Sequence, residues 1–365
     1  MIRALGMMSG TSLDGVDAAM IDTDGVRIGG FGDSAFHAYG SNEAAVLHAG
    51  LGLWPDAPQV PDLAELVQAV HADLARQFTD AQLIGFHGQT LAHDPRGRGT
   101  HQAGDGAALA RALDRPVVWD FRSEDVRQGG EGAPLVPFFH WACANWAVGQ
   151  GHLPAAPVAF LNLGGVGNIS WVDPTACAPE ASGACIAFDT GPANAPLNDL
   201  MRRRRHQSHD EGGALAASGT PDATVVAAFL DDPWFRRPPP KSLDRDHFAD
   251  LSHAVASLPD GDAAATLVAA LAGSVAAGMT WLPSAPTQLL VCGGGRHNAA
   301  IMAALRRVVP GPVHPVEAIG LNGDMLEAQA FGWLAVRVLR GLPISGPMTT
   351  GVPGPVCGGR ISHPR

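Results

Sequence analysis

The chain has 365 residues, 46% of them hydrophobic, and its 35 acidic against 24 basic side chains give a formal net charge of −11. That length supports two domains, each with its own core, and the acidic balance argues against a nucleic-acid or anionic-membrane surface. The five cysteines are odd in number and form no C-x-x-C pair, so they suggest neither a disulfide framework nor a zinc ribbon and fit a reducing cytoplasm.

From the amino terminus, Leu5-Gly6-Met7 and Val16 to Ile21 read as strands, joined through Gly10-Thr11-Ser12-Leu13-Asp14-Gly15. Ser9 and Gly10 arrive before a signal-peptide apolar core could develop. Asp22-Thr23-Asp24-Gly25 is a turn signal leading to a third strand. A helix is expected over Asp62 to Thr79, with Asp62 as N-cap and Leu63, Leu66, Val67, Val70, Leu74 and Phe78 as its apolar face. Strands follow near Leu83 to Phe86, Val117 to Trp119, Val158 to Leu161, Ile186 to Phe188 and Leu289 to Cys292.

The run Met201 to Arg205 reads as a solvated helix end. Pro238-Pro239-Pro240 marks Asp231 to His247 as an exposed connection. Ala263 to Leu282 carries no charge and is long enough to cross a bilayer. Its bulky residues Leu267, Leu271, Val275, Met279 and Leu282 instead recur as the stripe of a buried helix. A last helix is expected from Asn322 to Gly341, with Met325, Leu326, Ala330, Phe331, Leu334, Val338 and Leu339 inward and a Gly- and Pro-rich loop after Pro343. Alternating strands and helices of this kind predict an α/β protein with mixed sheets.

Three glycine loops could bring backbone N–H groups close to phosphate oxygens. In the first, Thr11, Ser12 and the flanking amides would cradle phosphates, with Asp17 facing a magnesium ion through water; an ordinary tight hairpin fits the same residues. The second is Gly164-Gly165, between two strands. The third, Gly293-Gly294-Gly295, follows a strand and precedes a helix, which suits a nucleoside. A P-loop or protein kinase needs a phosphate-facing lysine, and the only lysine in the chain, Lys241, follows three prolines. Gly30-Phe31-Gly32-Asp33-Ser34-Ala35 matches a dinucleotide fingerprint only formally, because no helix start follows it. Asp189, in Phe188-Asp189-Thr190-Gly191-Pro192, stands just beyond a strand, where it could be catalytic or merely a helix N-cap.

Taken in order, these motifs resemble the anhydro-N-acetylmuramic acid kinase family. They are Met8 to Asp17, His87-Gly88-Gln89-Thr90 with His93 and Pro95, Gly104-Asp105, Asp120-Phe121-Arg122, Gly132 to Pro137, Asn162 to Gly165, Phe188 to Pro192, Pro239-Pro240-Lys241-Ser242, Gly293 to Gly295 with Asn298, and Glu327-Ala328 with Ala330-Phe331. The resemblance implies the two-lobed actin-like ATPase fold of the hexokinase, Hsp70 and actin superfamily, with ATP between the lobes. The first lobe would comprise residues 1–130 with the C-terminal helix and tail, about residues 341–365, returning to it, and the second residues 131–340.

The implied reaction opens the 1,6-anhydro ring of anhydro-N-acetylmuramic acid with water and phosphorylates oxygen 6, giving N-acetylmuramic acid 6-phosphate in peptidoglycan recycling. Asp189 would be the general base and Gly10 to Asp17 the ATP phosphate loop. Glu327, with Arg122, His87 and Gln89, would face the sugar, although a histidine bracing a strand-end turn reads equally well. ATP and Mg2+, a small amino sugar, a cytoplasmic location and a homodimer complete the expectation, with no nucleic-acid or membrane partner. Two residues depart from the family pattern: Glu131 in place of a glutamine and Ala193 in place of a glycine. Another sugar kinase of the superfamily, or an actin-like nucleotide switch without catalysis, are the competing readings.

Overall fold

The computed structural model describes residues 1–243 and 247–365. Its strands are β1 (Ile2–Ser9), β2 (Gly15–Thr23), β3 (Ile28–Ala38), β4 (Leu83–Asp94), β5 (Gly99–Ala103), β6 (Val117–Trp119), β7 (Val158–Leu163), β8 (Val166–Val172), β9 (Cys185–Pro192), β10 (Leu289–Cys292), β11 (Val313–Pro315) and β12 (Arg360–Ser362). Contacts divide the chain into two compact units: residues 1–149, 177–182 and 325–365, and residues 150–176 and 183–324.

In the first unit the sheet runs β12-β6-β4-β1-β2-β3, with β5 paired to β4. The meander β1-β2-β3 is antiparallel, whereas β4 lies parallel to β1 and β6 parallel to β4. The turn into β3 forms as the sequence suggests: Asp24 Oδ1 accepts from the amides of Val26 and Arg27, and Gly25 takes φ 83°. The formal dinucleotide fingerprint lies inside β3 itself, which removes it as a nucleotide motif.

Several helices pack on this sheet. Val60–Ala75 buries Leu63, Val67, Val70 and Leu74 as its periodicity requires, but it starts earlier than expected and Asp62 lies in its first turn without capping it. Leu326–Leu339 packs so closely that a Cβ at Gly6 or Gly85 would collide with its backbone; only glycine permits that approach. This helix is covered all round, with Trp333 and Arg337 fully buried, while the expected core residue Leu339 is 40% exposed.

Helix Pro137–Gly149 packs on β3 and on Leu326–Leu339. The first unit extends to Gly149 and contains the C-terminal helix, at 326–339, and the tail, against expected boundaries near 130 and 340. The tail is not simply loop: β12 pairs antiparallel with β6.

In the second unit the sheet order is β11-β10-β7-β8-β9, again an antiparallel meander followed by parallel strands. Counted along the main path within each unit, and leaving aside β12 at the edge of the first sheet, both sheets read fifth-fourth-first-second-third. Helix Asp260–Met279, long and apolar enough to span a membrane, packs on β9 and buries Leu267, Leu271 and Val275 in the core of this unit. Arginines 202 to 205 end helix Asn194–Arg205, where Arg204 donates to the carbonyls of Val255, Ala256 and Leu258. Pro238 and Pro240 are exposed as expected. Residues 244–246 of that expected connection lie outside the described residues.

Candidate active site

In each unit the candidate residues gather where the parallel strands end. In the first, β1 ends at Ser9 beside Gln89 of β4. Ser9 Oγ donates to Gln89 Oε1 at 2.5 Å and lies 2.8 Å from the Tyr39 hydroxyl, while Gln89 Nε2 donates to Gly10 O at 3.3 Å. Gln89 is fully buried, so it braces the hairpin and does not present a free amide. The hairpin closes through Leu13 N to Gly10 O, with Leu13 at φ 58° and its side chain buried. Thr11, Ser12 and Asp14 are exposed. Among the described residues neither the amides nor the hydroxyls of Thr11 and Ser12 have a hydrogen-bond partner.

The Gly15 position would collide with His37 O if it bore a Cβ, whereas a Cβ at Gly10 meets nothing closer than 3.5 Å. Val16 is buried in the strand and Asp17 is half-buried on β2 opposite Met8 and Phe36.

His87 is buried against the Phe331 ring, centroids 4.5 Å apart. Its Nδ1 donates to Gly88 O at 2.8 Å and its Nε2 accepts from Arg122 Nε at 3.0 Å, an arrangement that requires the neutral ring. Burial, then the Arg122 cation, hold its pKa well below the ordinary 6.5. Arg122 also donates through Nη1 to Gly132 O at 2.7 Å. Burial pushes its pKa down to about 10 against the opposing attraction of Glu327 and Asp125. Glu327 is half-buried in the first turn of its helix. The loop that Arg122 grips is set by Asp125, whose buried carboxylate accepts from Gly132 N at 2.7 Å, Thr350 Oγ1 at 2.6 Å and Ser345 Oγ.

In the second unit Asp189 stands on β9 opposite Asn168 of β8. Its Oδ1 accepts from Asn168 Nδ2 at 2.9 Å and its Oδ2 from Leu243 N at 2.7 Å, while its own amide donates to Lys241 O at 3.0 Å. It caps no helix, which answers the N-cap alternative. Burial pushes its carboxyl up to about 6, although Asn168, Leu243 and the Lys241 cation all favour the ionised form.

The Gly164-Gly165 turn offers its carbonyls to the start of helix Asn194–Arg205: Gly164 O accepts from Asn194 N and Gly165 O from Ala193 N and Ala195 N. Parallel pairing of β7 with β10 places this turn beside Gly293. The glycines then sort by their surroundings. A Cβ at Gly293, which has φ +71°, would collide with Asn162 Oδ1, and one at Gly295 would lie 2.6 Å from Leu163 Cβ; Cβ atoms at Gly164, Gly165 and Gly294 meet nothing within 3.5 Å. Internal packing explains the first pair, whereas a Cβ at the other three would meet nothing closer than ordinary van der Waals contact. Arg296 anchors this loop, pairing with Glu317 at 2.9 Å and Asp324 at 2.8 Å.

Sequence reasoning missed Asn168, Lys241, Asn194 and Arg296. Of these only Lys241 carried a signal, as the chain's single lysine within the Pro239-Pro240-Lys241-Ser242 motif.

The family model described as Anhydro-N-acetylmuramic acid kinase matches residues 2–364. The chain belongs to this family. It is 62% identical to an anhydro-N-acetylmuramic acid kinase of Cereibacter sphaeroides, over 100% of this chain and 96% of that one. It is 56% identical to anhydro-N-acetylmuramic acid kinase 1 of Jannaschia sp. and 54% to the enzyme of Ruegeria sp., with 100% of this chain covered in both cases and 96% and 95% of theirs. Together with the duplicated sheet order, membership makes the fold the actin-like one of the hexokinase, Hsp70 and actin superfamily. Of the two departures from the family pattern, Glu131 pairs with Arg96 at 2.6 Å, and Ala193 is buried with its amide on Gly165 O.

Proposed function

We propose that the protein is an ATP-dependent kinase that adds water across the 1,6-anhydro bond of anhydro-N-acetylmuramic acid and phosphorylates oxygen 6. The observation that carries this reading is the family match along essentially the whole chain, at up to 62% identity among the relatives compared.

The site residues supply a coherent division of labour. Asp189 accepts a proton from the water that attacks carbon 1, the carbon 1 to oxygen 6 bond breaks, and oxygen 6 takes the γ-phosphoryl group of ATP as ADP leaves. A carboxylate with a pKa near 6 is basic enough to help yet mostly ionised at neutral pH, and such assistance is worth ~10²- to 10⁴-fold in rate. Its two oxygens each accept one hydrogen bond, which fixes its plane and leaves a lone pair on each for the proton.

The hairpin Gly10 to Asp17 binds the ATP phosphates through the amides and hydroxyls of Thr11 and Ser12, held in place from below by Ser9 and Gln89. Gly164, Gly165 and Gly294 bind nucleotide where their missing side chains leave room, with Gly293 and Gly295 keeping the loop against β7. Asp17 holds Mg2+ through water. A single carboxylate suits an ion that keeps most of its waters, and among the described residues no cluster of three or more acidic, histidine or cysteine side chains offers a tighter cage. When bound, the ion neutralises phosphate charge. Arg122 and Glu327 hold the sugar, and neutral His87 orients Arg122 and transfers no proton itself.

We extend the reading to a cytoplasmic enzyme acting on small molecules, without nucleic-acid or membrane partners, supported by the net charge of −11 and by the burial of the one span-length apolar helix among the described residues. A homodimer rests on the family resemblance alone and is checked by sedimentation.

Purified protein incubated with ATP and anhydro-N-acetylmuramic acid, beside ordinary hexoses, tests the reading. ADP release with a sugar phosphate carrying one added water supports it. Phosphorylation of hexoses alone would replace the substrate, and filaments without sugar-dependent ADP release would replace catalysis by a nucleotide switch.

A further inference from the structure

The single lysine of the chain lies almost completely buried, at 7% exposure, in a protein whose other basic side chains are arginines and histidines. Its ammonium sits 4.2 Å from the centre of the Trp234 ring and 5.9 Å from those of Phe188 and Trp281, a cage of cation–π contacts. Two carbonyls, Trp234 O at 3.3 Å and Phe235 O at 3.4 Å, accept its protons. Among the described residues no carboxylate lies within ion-pairing distance of it. Burying an ammonium without a direct counter-ion is costly, and burial does push this one down to about 8. A methionine would fill the same space without that cost, so the charge calls for an explanation beyond packing.

The backbone on either side of this side chain supplies one. Lys241 O accepts from Asp189 N, and Leu243 N donates to Asp189 Oδ2. The strap 241–243 thus runs alongside the end of β9 and holds Asp189 at both its backbone and its carboxylate. Phe188, which precedes Asp189, is one wall of the cage that grips Lys241. Among the described residues, the other elements against this part of β9 bring no charge: β8 presents Asn168, and helix Asp260–Met279 presents Ser274 and Gly278 to Gly191 and Thr190. The Lys241 cation acts on Asp189, and among the described residues the only further charge acting on Lys241 is Arg237.

We infer that Lys241 is a positioning residue for Asp189: its caged ammonium pins the strap whose amide and carbonyl orient the carboxylate, and its charge helps keep that carboxylate ionised. The inference rests on Asp189 being the general base. Removing the cation withdraws an attraction for the ionised carboxylate, and loosening the strap withdraws the Leu243 hydrogen bond; both raise the pKa of Asp189, so the acid limb of activity moves to higher pH.

The test compares pH profiles of kcat, KM for ATP and thermal melts for Lys241→Met, Lys241→Arg, Leu243→Pro and Asp189→Asn. Lys241→Met is expected to lower kcat at pH 7 by about tenfold and move the acid limb up by about one pH unit, with KM for ATP within about twofold of the parent. Lys241→Arg keeps the charge and is expected to keep the limb in place. Leu243→Pro deletes the donor to Oδ2 with the cage intact and is expected to move the limb upward as well. Acid limbs at the parental pH in both Lys241→Met and Leu243→Pro overturn the inference, as does a lower kcat with no shift of the limb. Should Lys241→Met not fold, Leu243→Pro decides alone by the same criterion. An active Asp189→Asn would instead sink the general-base reading itself, so the two failures are told apart.

Discussion

Replacing Asp189 by asparagine should separate function from stability, with opposite signs. Burial lifts this carboxyl from its ordinary 3.8 to about 6 in the folded chain. Below pH 3.8 the group is protonated in both folded and unfolded chains and has no effect. Between 3.8 and 6 the unfolded chain releases a proton that the folded chain keeps, so stability falls as pH rises, and above 6 the full cost of ionising the buried group is present. A gap of about two pH units corresponds to about 3 kcal/mol. Asparagine never ionises and so escapes this cost, but it cannot accept from both Asn168 Nδ2 and Leu243 N without one side chain turning over, a loss of about 1 kcal/mol. The variant should therefore be about 2 kcal/mol more stable than the parent at pH 8, with the advantage gone near pH 4, while turnover falls by ~10²-fold or more. Urea unfolding at pH 4, 6 and 8, run beside ADP-release assays, measures both. An Asp189→Asn protein that is less stable at pH 8 than the parent, by as much as at pH 4, would refute the burial argument whatever its activity.

Glycines in the two nucleotide loops should respond differently to alanine. Gly164→Ala meets only Val166 O, at 3.9 Å, and should melt like the parent while raising KM for ATP, whereas Gly293→Ala, at φ +71° and against Asn162, should cost about 2 kcal/mol; equal melting of the two would refute the sorting. Gln89→Leu strips Ser9 Oγ and Gly10 O of their buried partner, at about 1–3 kcal/mol. It should raise KM for ATP and speed amide exchange in residues 10–14, and unchanged exchange would remove Gln89 from its bracing role. Buried His71 and His140 have pKa values lowered by burial to about 4 and about 3. The stability they carry is complete above the unfolded value of 6.5 and lost as pH falls towards those folded values, so the melting temperature should decline from pH 6.5 to 4.5; a flat profile would contradict it.

Strand-forming runs were legible because their apolar residues are short, β-rich and bounded by turns: Leu5, Val16 and Ile21, Val117 and Phe160 all lie at or below 1% exposure in predicted strands. Boundaries were less so. The 326–339 helix belongs with the first unit because Gly6, Gly85 and Gly332 let it lie flat on β1 and β4, and spacing along the chain holds no record of that approach. Leu339 looked inward by period, yet it is the last residue of the helix and stands 40% exposed, while Val336 and Arg337 in the same turn are buried. Asp62 had the chemistry of an N-cap, but Pro61 lets the helix begin one turn earlier.

The candidate site shows the same division between chemistry and placement. Asp189 was visible as a carboxylate at a strand end, but what makes it more than a cap is Asn168 across the ladder and Leu243 from a segment 54 residues on. Neither pairing leaves a local signature. Pro238 and Pro240 are exposed, but Trp234, Phe235 and Lys241 of the same expected connection are buried, and the reading hid Lys241 because a residue following three prolines is expected in solvent. Its burial follows from tertiary packing, as Trp234, Phe188 and Trp281 come from three separate stretches of chain. The glycine loops make the sharpest case. Gly164 and Gly293 look alike in sequence, one glycine among several after a strand, yet a Cβ at one would meet nothing closer than 3.9 Å and at the other would strike Asn162. Two physical reasons for glycine, backbone packing and ligand approach, produce one letter, and only what surrounds the absent Cβ separates them.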